Sequence, residues 1–355
     1  MTPSLSPEVL RHVVDVHCHP TDSGAVSKES VQALEITICA MSSHKADQNR
    51  VAALAEENPD KVVPCFGYHP WFSHLVSLDD SLNKVEHYRK LFLHGAPPSK
   101  QEEFNQIFNR LLPILPDPYP LAEILGDVRY NLVRFPNAMV GEVGLDRVFR
   151  VPFDYFADQR ELTPFTIPLE HQIAILEAQF ELAIELKRNV SIHSVKAQQA
   201  TIDLFKRLAE QHEERWYRIS VDMHSCGFSP ETWRDTEKAF PNVFISLSTV
   251  INHKHSNLTR LIAMASPNRL LVESDYNDIN MCTSQTLEIL WLIAEAKGWA
   301  IEVGWVEELK ETEWGAVRRL AENWQRFRIG GHSPPSRSKQ ARKKRLLESA
   351  SESES

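Results

Sequence analysis

Six histidines and carboxylates of this chain are candidates to hold divalent metal ions, and each lies in or just after a short apolar run. The first two are His17 and His19, in "VVDVHCH" (13–19). Spaced i, i+2 on a strand, their side chains share one face, while Cys18 turns to the other. Two imidazoles can grip an ion but do not complete its shell. The others are Glu142 in "AMVGE", His193 in "NVSIH", His224 in "ISVDMH" and Asp275 in "LLVESD". A buried imidazole or carboxylate needs a partner, a charged one especially. Six such groups meeting at one place would be hard to keep without a cation. Four histidines and two carboxylates exceed the needs of one tetrahedral ion. Two ions about 3.5–4 Å apart, bridged by a carboxylate, use the set better. In that arrangement Glu142 is the bridge, His17, His19 and Asp275 hold one ion, and His193 and His224 hold the other. A water between the ions becomes acidic enough to act as a nucleophile, and Asp275 can accept its proton. Mixed nitrogen and oxygen ligation suits zinc, manganese or iron; magnesium prefers oxygen and water.

Such residues must be carried to one place by the elements beneath them. Apolar, β-branched runs recur at 13–19, 33–41, 62–68, 138–145, 189–195, 218–224, 243–250 and 269–275. Near-continuous apolar runs suit strands buried on both faces, as in a parallel sheet. Between several of them lie helical patterns: 168–188, opening on Pro168 and closing on Lys187-Arg188, then 197–213 and 229–239. Eight strands with helical crossovers predict a (β/α)8 TIM barrel, whose catalytic groups collect at the C-terminal ends of the strands. A doubly wound open sheet is the structural alternative. The interval from Tyr68 to Gly141 is too long for one helix and two loops. Its proline-rich part, about 94–137, is expected to be an insertion between strands 3 and 4, serving as a lid, a partner surface or a tolerated excursion. The barrel is expected to span 1–330. Residues 331–355, rich in Ser, Pro and charge, read as a disordered tail. Arg342-Lys343-Lys344-Arg345 within it is either a nuclear-import or nucleic-acid patch or a solvated charge run.

Composition narrows the class. The chain has 355 residues, 42% apolar, which allows a large core. A formal charge of −9 argues against wrapping nucleic acid on a broadly basic surface. A local phosphate site remains open, because a metal can supply positive charge. No apolar stretch approaches a membrane span, and the N-terminus lacks a signal-peptide pattern. Five cysteines without a CxxC pair fit a reducing compartment, so a cytoplasmic or nuclear location is expected. His69 and Trp71, in "GYHPW", are expected at the mouth of the site, either with His69 touching substrate and Trp71 stacking on a base, or with both packing the rim. His253 and His255 repeat the HxH spacing in a polar segment and read as solvated.

In order, "DVHCH", "GYHPW", "VGEVGLD", "SIHS", "DMHS" and "LLVESD" resemble the TatD family of metal-dependent hydrolases, over about residues 13–277. "RRLAENWQRF" resembles the family's closing helix. The resemblance implies an amidohydrolase-like barrel, metal-dependent phosphodiester hydrolysis, typically of DNA, and the ligands His17, His19, Glu142, His193, His224 and Asp275. The chain also departs from the pattern. The family's His-Ser-Arg is here His193-Ser194-Val195-Lys196, so the phosphate-binding arginine is missing. Lys196 could supply its charge but not its bidentate fork. His-Cys-Phe-Ser-Gly becomes His224-Ser225-Cys226-Gly227-Phe228, and Thr-Asp-Ser-Pro becomes Ser274-Asp275-Tyr276-Asn277. These features are most similar to a fungal branch described as interacting with a repeat-containing subunit of the cell-cycle ubiquitin ligase, which implies such a partner. Three functions therefore stay open: a dinuclear phosphodiesterase or deoxyribonuclease, a partner-binding protein on the same barrel, and an amidase-type hydrolase.

Overall fold

In the computed structural model, residues 5–22, 24, 26–95 and 97–335 are described. The expected apolar runs form eight parallel strands in the order of the chain. They are β1 (Val14–Cys18), β2 (Thr37–Met41), β3 (Val62–Phe66), β4 (Met139–Asp146), β5 (Val190–Val195), β6 (Val221–Met223), β7 (Val243–Leu247) and β8 (Leu270–Val272). Just beyond β8 the chain returns to β1. Asp275 N donates to His17 O at 3.0 Å, and His19 N donates to Tyr276 O at 2.8 Å. The sheet thus curls into a TIM barrel rather than staying open, and this seam sets His19 beside Asp275.

Strand alternation sorts the side chains into two cores. Outward residues such as Ile38, Val140, Ile192, Val221 and Ile245 pack against the surrounding helices in the main core. Inward residues Val16, Cys39, Met41, Cys65, Met139, Phe244 and Leu271 fill the barrel floor, with Trp324 and Phe327 of the closing helix Ala316–Ile329. The crossover helices start and stop where local chemistry dictates. Helix Leu169–Leu186 begins one residue after Pro168, which is the cap rather than the first helical residue, and ends at left-handed Lys187. Helix Pro230–Ala239 is capped by Ser229 with proline in its first turn.

The 94–137 excursion needs correction. Helix Leu121–Arg134 buries Ile124, Val128 and Leu132 in the main core and is the ordinary crossover between β3 and β4. The added structure begins earlier, with helices Lys84–Leu93 and Gln101–Leu111. A short parallel pairing of Val76–Ser77 with Tyr119–Pro120 ties off its base. Proline density marked the turns but concealed the apolar stripe of the last helix. The added helices share a third core, in which Tyr88, Phe92, Phe108 and Leu111 pack with Val151, Phe165 and Ile167 of the long connection after β4. The excursion therefore braces that connection. Of the expected tail, residues 336–355, including Arg342-Lys343-Lys344-Arg345, lie outside the described residues. Among the described residues no helix is long and apolar enough to cross a membrane.

Candidate metal centre

The strand ends bring His17, His19, Glu142, His193, His224 and Asp275 to one mouth, around Glu142. The two carboxylate oxygens of Glu142 divide the histidines. Oε2 lies 3.0 Å from His19 Nε2 and 3.5 Å from His17 Nε2. Oε1 lies 2.9 Å from His224 Nε2 and 3.0 Å from His193 Nδ1. Asp275 Oδ1 is 3.8 Å from His19 Nε2 and 3.9 Å from His17 Nε2. Strict alternation alone would not give this. Val16 packs in the barrel floor, yet its neighbour His17 faces the mouth, and β1 carries a register shift between Asp15 and Cys18. A second shift, between Val140 and Val143, turns Glu142 inward. Gly144 is needed beside it: at φ +156° its backbone passes so close to β5 that a Cβ would lie 2.1 Å from His193 O.

The donor set fits metal ions. Three histidines have the outer ring nitrogen engaged and the other facing the centre. His17 Nδ1 meets Ser191 Oγ at 2.8 Å, His193 Nε2 meets Asp146 Oδ2 at 3.1 Å, and His224 Nδ1 meets Glu273 Oε1 at 3.3 Å. An outer acceptor that fixes the tautomer and leaves the inner lone pair free is the usual arrangement around a ligating imidazole. His19 Nδ1 is buried without a hydrogen-bond partner, its nearest acid being Asp22 at 4.0 Å. A third cluster, Asp15, Cys18 and Cys282, is chemically unsuited. Burial pushes the Cys18 thiol far up, and Asp15 is spent on His17 N and on Ser274 N and Oγ. Cys18 faces the outer core, as expected from its place between the two histidines.

His69 belongs to a different class from the four histidines. It lies 3.3 Å from Glu142 Oε1 and groups geometrically with Glu142 and His193. Its Nδ1 accepts the Trp71 backbone N–H at 3.1 Å, so Nε2 carries the proton and donates toward Glu142. A neutral imidazole committed this way has no lone pair for an ion. Burial, only partly opposed by Glu142, lowers its pKa to about 4, which keeps it neutral. His69 is a hydrogen-bond donor at the mouth. Trp71 donates from Nε1 to Asp146 Oδ2 at 2.7 Å and stacks one face on Phe149, with centroids 5.2 Å apart. Both line the cavity. Lys196 does not: it is exposed, in a left-handed turn beyond the end of β5, and it is absent from the cavity wall. His253 and His255 are exposed, His253 bonding back to Thr249 O.

The sequence reading missed a polar layer beneath the ligands. Asp222 and Glu273 are linked through the hydroxyl of Ser246, and Ser225 also donates to Glu273. Burial and then repulsion from Glu273 push the Asp222 carboxyl far above its ordinary range. Burial also pushes Glu273 upward, but His224 outweighs it and keeps Glu273 ionised. The signal was present in the sequence: each residue lies two positions before a ligand, His224 and Asp275, on the same inward face.

Proton occupancy leads to a measurable consequence. Burial opposes charge on His19, but Glu142 outweighs it and pushes the imidazole up to about 10. His224 is raised in the same way by Glu142 and Glu273 against burial. At neutral pH the metal-free centre therefore holds protons on imidazoles that must be neutral to ligate. Loading with zinc is expected to release at least one proton, and the apparent affinity should rise with pH, by up to about tenfold per unit for each proton released. Calorimetry in buffers of different ionisation enthalpy measures that number; an affinity independent of pH would contradict the proton assignment.

With the geometry in hand, comparison with known proteins gives a consistent result. The family model described as TatD related DNase matches residues 14–308. The Cut9-interacting protein scn1 of Schizosaccharomyces pombe is 31% identical over 336 residues, covering 82% of this chain and 95% of that protein. A Saccharomyces cerevisiae protein named uncharacterized deoxyribonuclease YMR262W is 30% identical, covering 90% of this chain and 99% of its own. Among solved structures, a TatD-family hydrolase from Entamoeba histolytica superposes with a TM-score of 0.57 at 14% identity, covering 91% of this chain and 99% of that one. The TatD homologue YJJV of Escherichia coli does so with a TM-score of 0.55 at 17% identity, covering 92% and 100%. At those identities the structural matches speak for the barrel alone.

Proposed function

This chain belongs to the TatD-related DNase family, and from that premise we propose that it is a metal-dependent phosphodiesterase of deoxyribonuclease type. One observation carries the reading: the two oxygens of Glu142 each face a separate pair of histidines, as a carboxylate bridging two ions requires. His17, His19 and Asp275 would hold one ion, and His193 and His224 the other, with Glu142 shared. The donor types favour zinc, manganese or iron over magnesium. When bound, the ions would supply Lewis-acid polarisation of the phosphoryl oxygens and raise the acidity of water. The chain's own residues do the rest. The Asp275 carboxylate takes the proton of the attacking water. Ser191, Asp146 and Glu273 hold three ligand imidazoles in the required tautomer. His69 donates Nε2–H to an oxygen of the substrate or of Glu142, and Trp71 forms the wall behind it.

The test is elemental analysis of purified protein together with turnover of bis(p-nitrophenyl) phosphate, single-stranded DNA and an anilide. Near two ions per chain and cleavage of phosphodiesters but not the anilide are expected, with loss on chelation and recovery on adding manganese or zinc. Turnover of the anilide alone would favour the amidase reading.

A second role has its own support. The Schizosaccharomyces pombe relative is named for an interaction with Cut9, and its similarity spans nearly its whole length. By that relationship we extend a partner to this chain, a repeat-containing subunit of the cell-cycle ubiquitin ligase, and with it a cytoplasmic or nuclear location. The five cysteines, all free and buried, agree with a reducing compartment.

A further inference from the structure

The cavity above the ligands has a volume of about 630 Å³, within the range that holds a single small molecule. Its wall contains no lysine and no arginine among the described residues. It contains Asp22, Asp146 and Asp275 in addition to Glu142. The wall also includes Trp71, Val148, Tyr155, Val250, Ile251 and Tyr276. Val148 and Ile251 leave 55% and 42% of their surface exposed, so part of the wall offers apolar surface to solvent. The guanidinium of Arg160 lies 4.2 Å from the ring centroid of Tyr155, and Arg160 is not itself part of the wall.

A nucleic-acid strand carries one charge per nucleotide, and proteins that hold strands place cations along the backbone path. Within this pocket only a phosphate lying at the metal ligands would be neutralised, because no lysine or arginine lines it. A flanking phosphate drawn into the pocket would meet carboxylates, hydrocarbon or uncharged polar groups. Asp22, beside His19 at the mouth, would repel it. The aromatic part of the wall, by contrast, suits one planar group: Trp71 has one face covered by Phe149, and Tyr155 lies 6.1 Å from it centroid to centroid. The formal charge of −9 gives no broader field to gather a polyanion.

We propose that this pocket selects a compact substrate, a phosphodiester with a single planar aromatic group set against Trp71 and Tyr155 and no extended chain of phosphates. This rests on the phosphodiesterase reading and narrows it. The brace formed by the added helices has a place in it, because the third core anchors at Val151 and Phe165 the connection that carries Val148 and Tyr155 to the wall.

The experiment compares kcat/KM of the manganese-loaded protein on bis(p-nitrophenyl) phosphate, dithymidylate and longer oligothymidylates, at low and at physiological salt. Expected is a value that stays within about threefold from the dinucleotide to the longest strand, with little salt dependence. Val148→Lys should create a length preference, raising turnover of long strands about tenfold at low salt only. A wild-type value that climbs about tenfold or more with length and falls steeply with salt overturns the proposal. Absence of turnover on every phosphodiester by protein that elemental analysis shows to be loaded overturns the phosphodiesterase reading instead. Calorimetric binding then decides the pocket: tighter binding of bis(p-nitrophenyl) phosphate than of a long oligothymidylate supports compact selection, and the reverse overturns it.

Discussion

Replacing Glu142 with alanine is expected to lower kcat about a thousandfold or more and to empty the centre of metal. The carboxylate is buried and faces His17, His19, His69, His193 and His224 at once. Burial alone would push its pKa up, yet the surrounding imidazoles hold it well below the usual range, so it is ionised throughout the working pH. Its loss would remove the shared ligand and the carboxylate nearest His19 and His224 on the inner side, leaving Asp275 at 3.8 Å from His19. The gentler Glu142→Gln keeps the volume and tests charge alone. In either variant His19, freed from its partner, should titrate far below its value in the parent protein, which histidine NMR of the metal-free form can follow. Unchanged turnover in both variants, with a normal thermal melt, would sink the bridging role.

Asp275→Asn is the second large effect. Asparagine preserves size and can keep the seam to β1 but cannot take a proton. The expected loss is about 10²–10⁴-fold in kcat, with KM for bis(p-nitrophenyl) phosphate changed by no more than about threefold. Burial raises Asp275 to about 6 against the pull of His224 and His19, which makes it a better proton acceptor than an ordinary surface aspartate. Metal content should fall toward about one ion per chain, because Glu142, His193 and His224 remain. A variant with full kcat would show that the proton goes elsewhere.

Much of this was legible in the order of residues. Eight β-branched runs gave eight strands, because a run buried on both faces has few other places to go. The six ligand candidates were found at the strand ends because the C-terminal rim of a barrel is where such groups collect. What the sequence hid has two physical causes. The first is that sequence spacing reports faces only where alternation is unbroken. The shifts in β1 and β4 bring His17 and Glu142 inward beside Val16 and Gly141, and no periodicity announces them. The second is that a residue's role depends on which of its atoms is already spoken for. His69 has the type and proximity of a ligand, and the Trp71 backbone N–H makes it a donor. Lys196 has the charge to meet a phosphate, and a left-handed turn leaves it in solvent.

By itself, then, the sequence determined the barrel, the candidate ligands and the order in which strands deliver them, since those follow from local burial and chain connectivity. The tertiary structure alone decided how Glu142 divides its oxygens, which acids stand behind the histidines, that the last helix of the 94–137 excursion belongs to the barrel, and that among the described residues no lysine or arginine lines the cavity. Each of those is a distance between residues far apart in the chain, and composition and spacing carry no information about it.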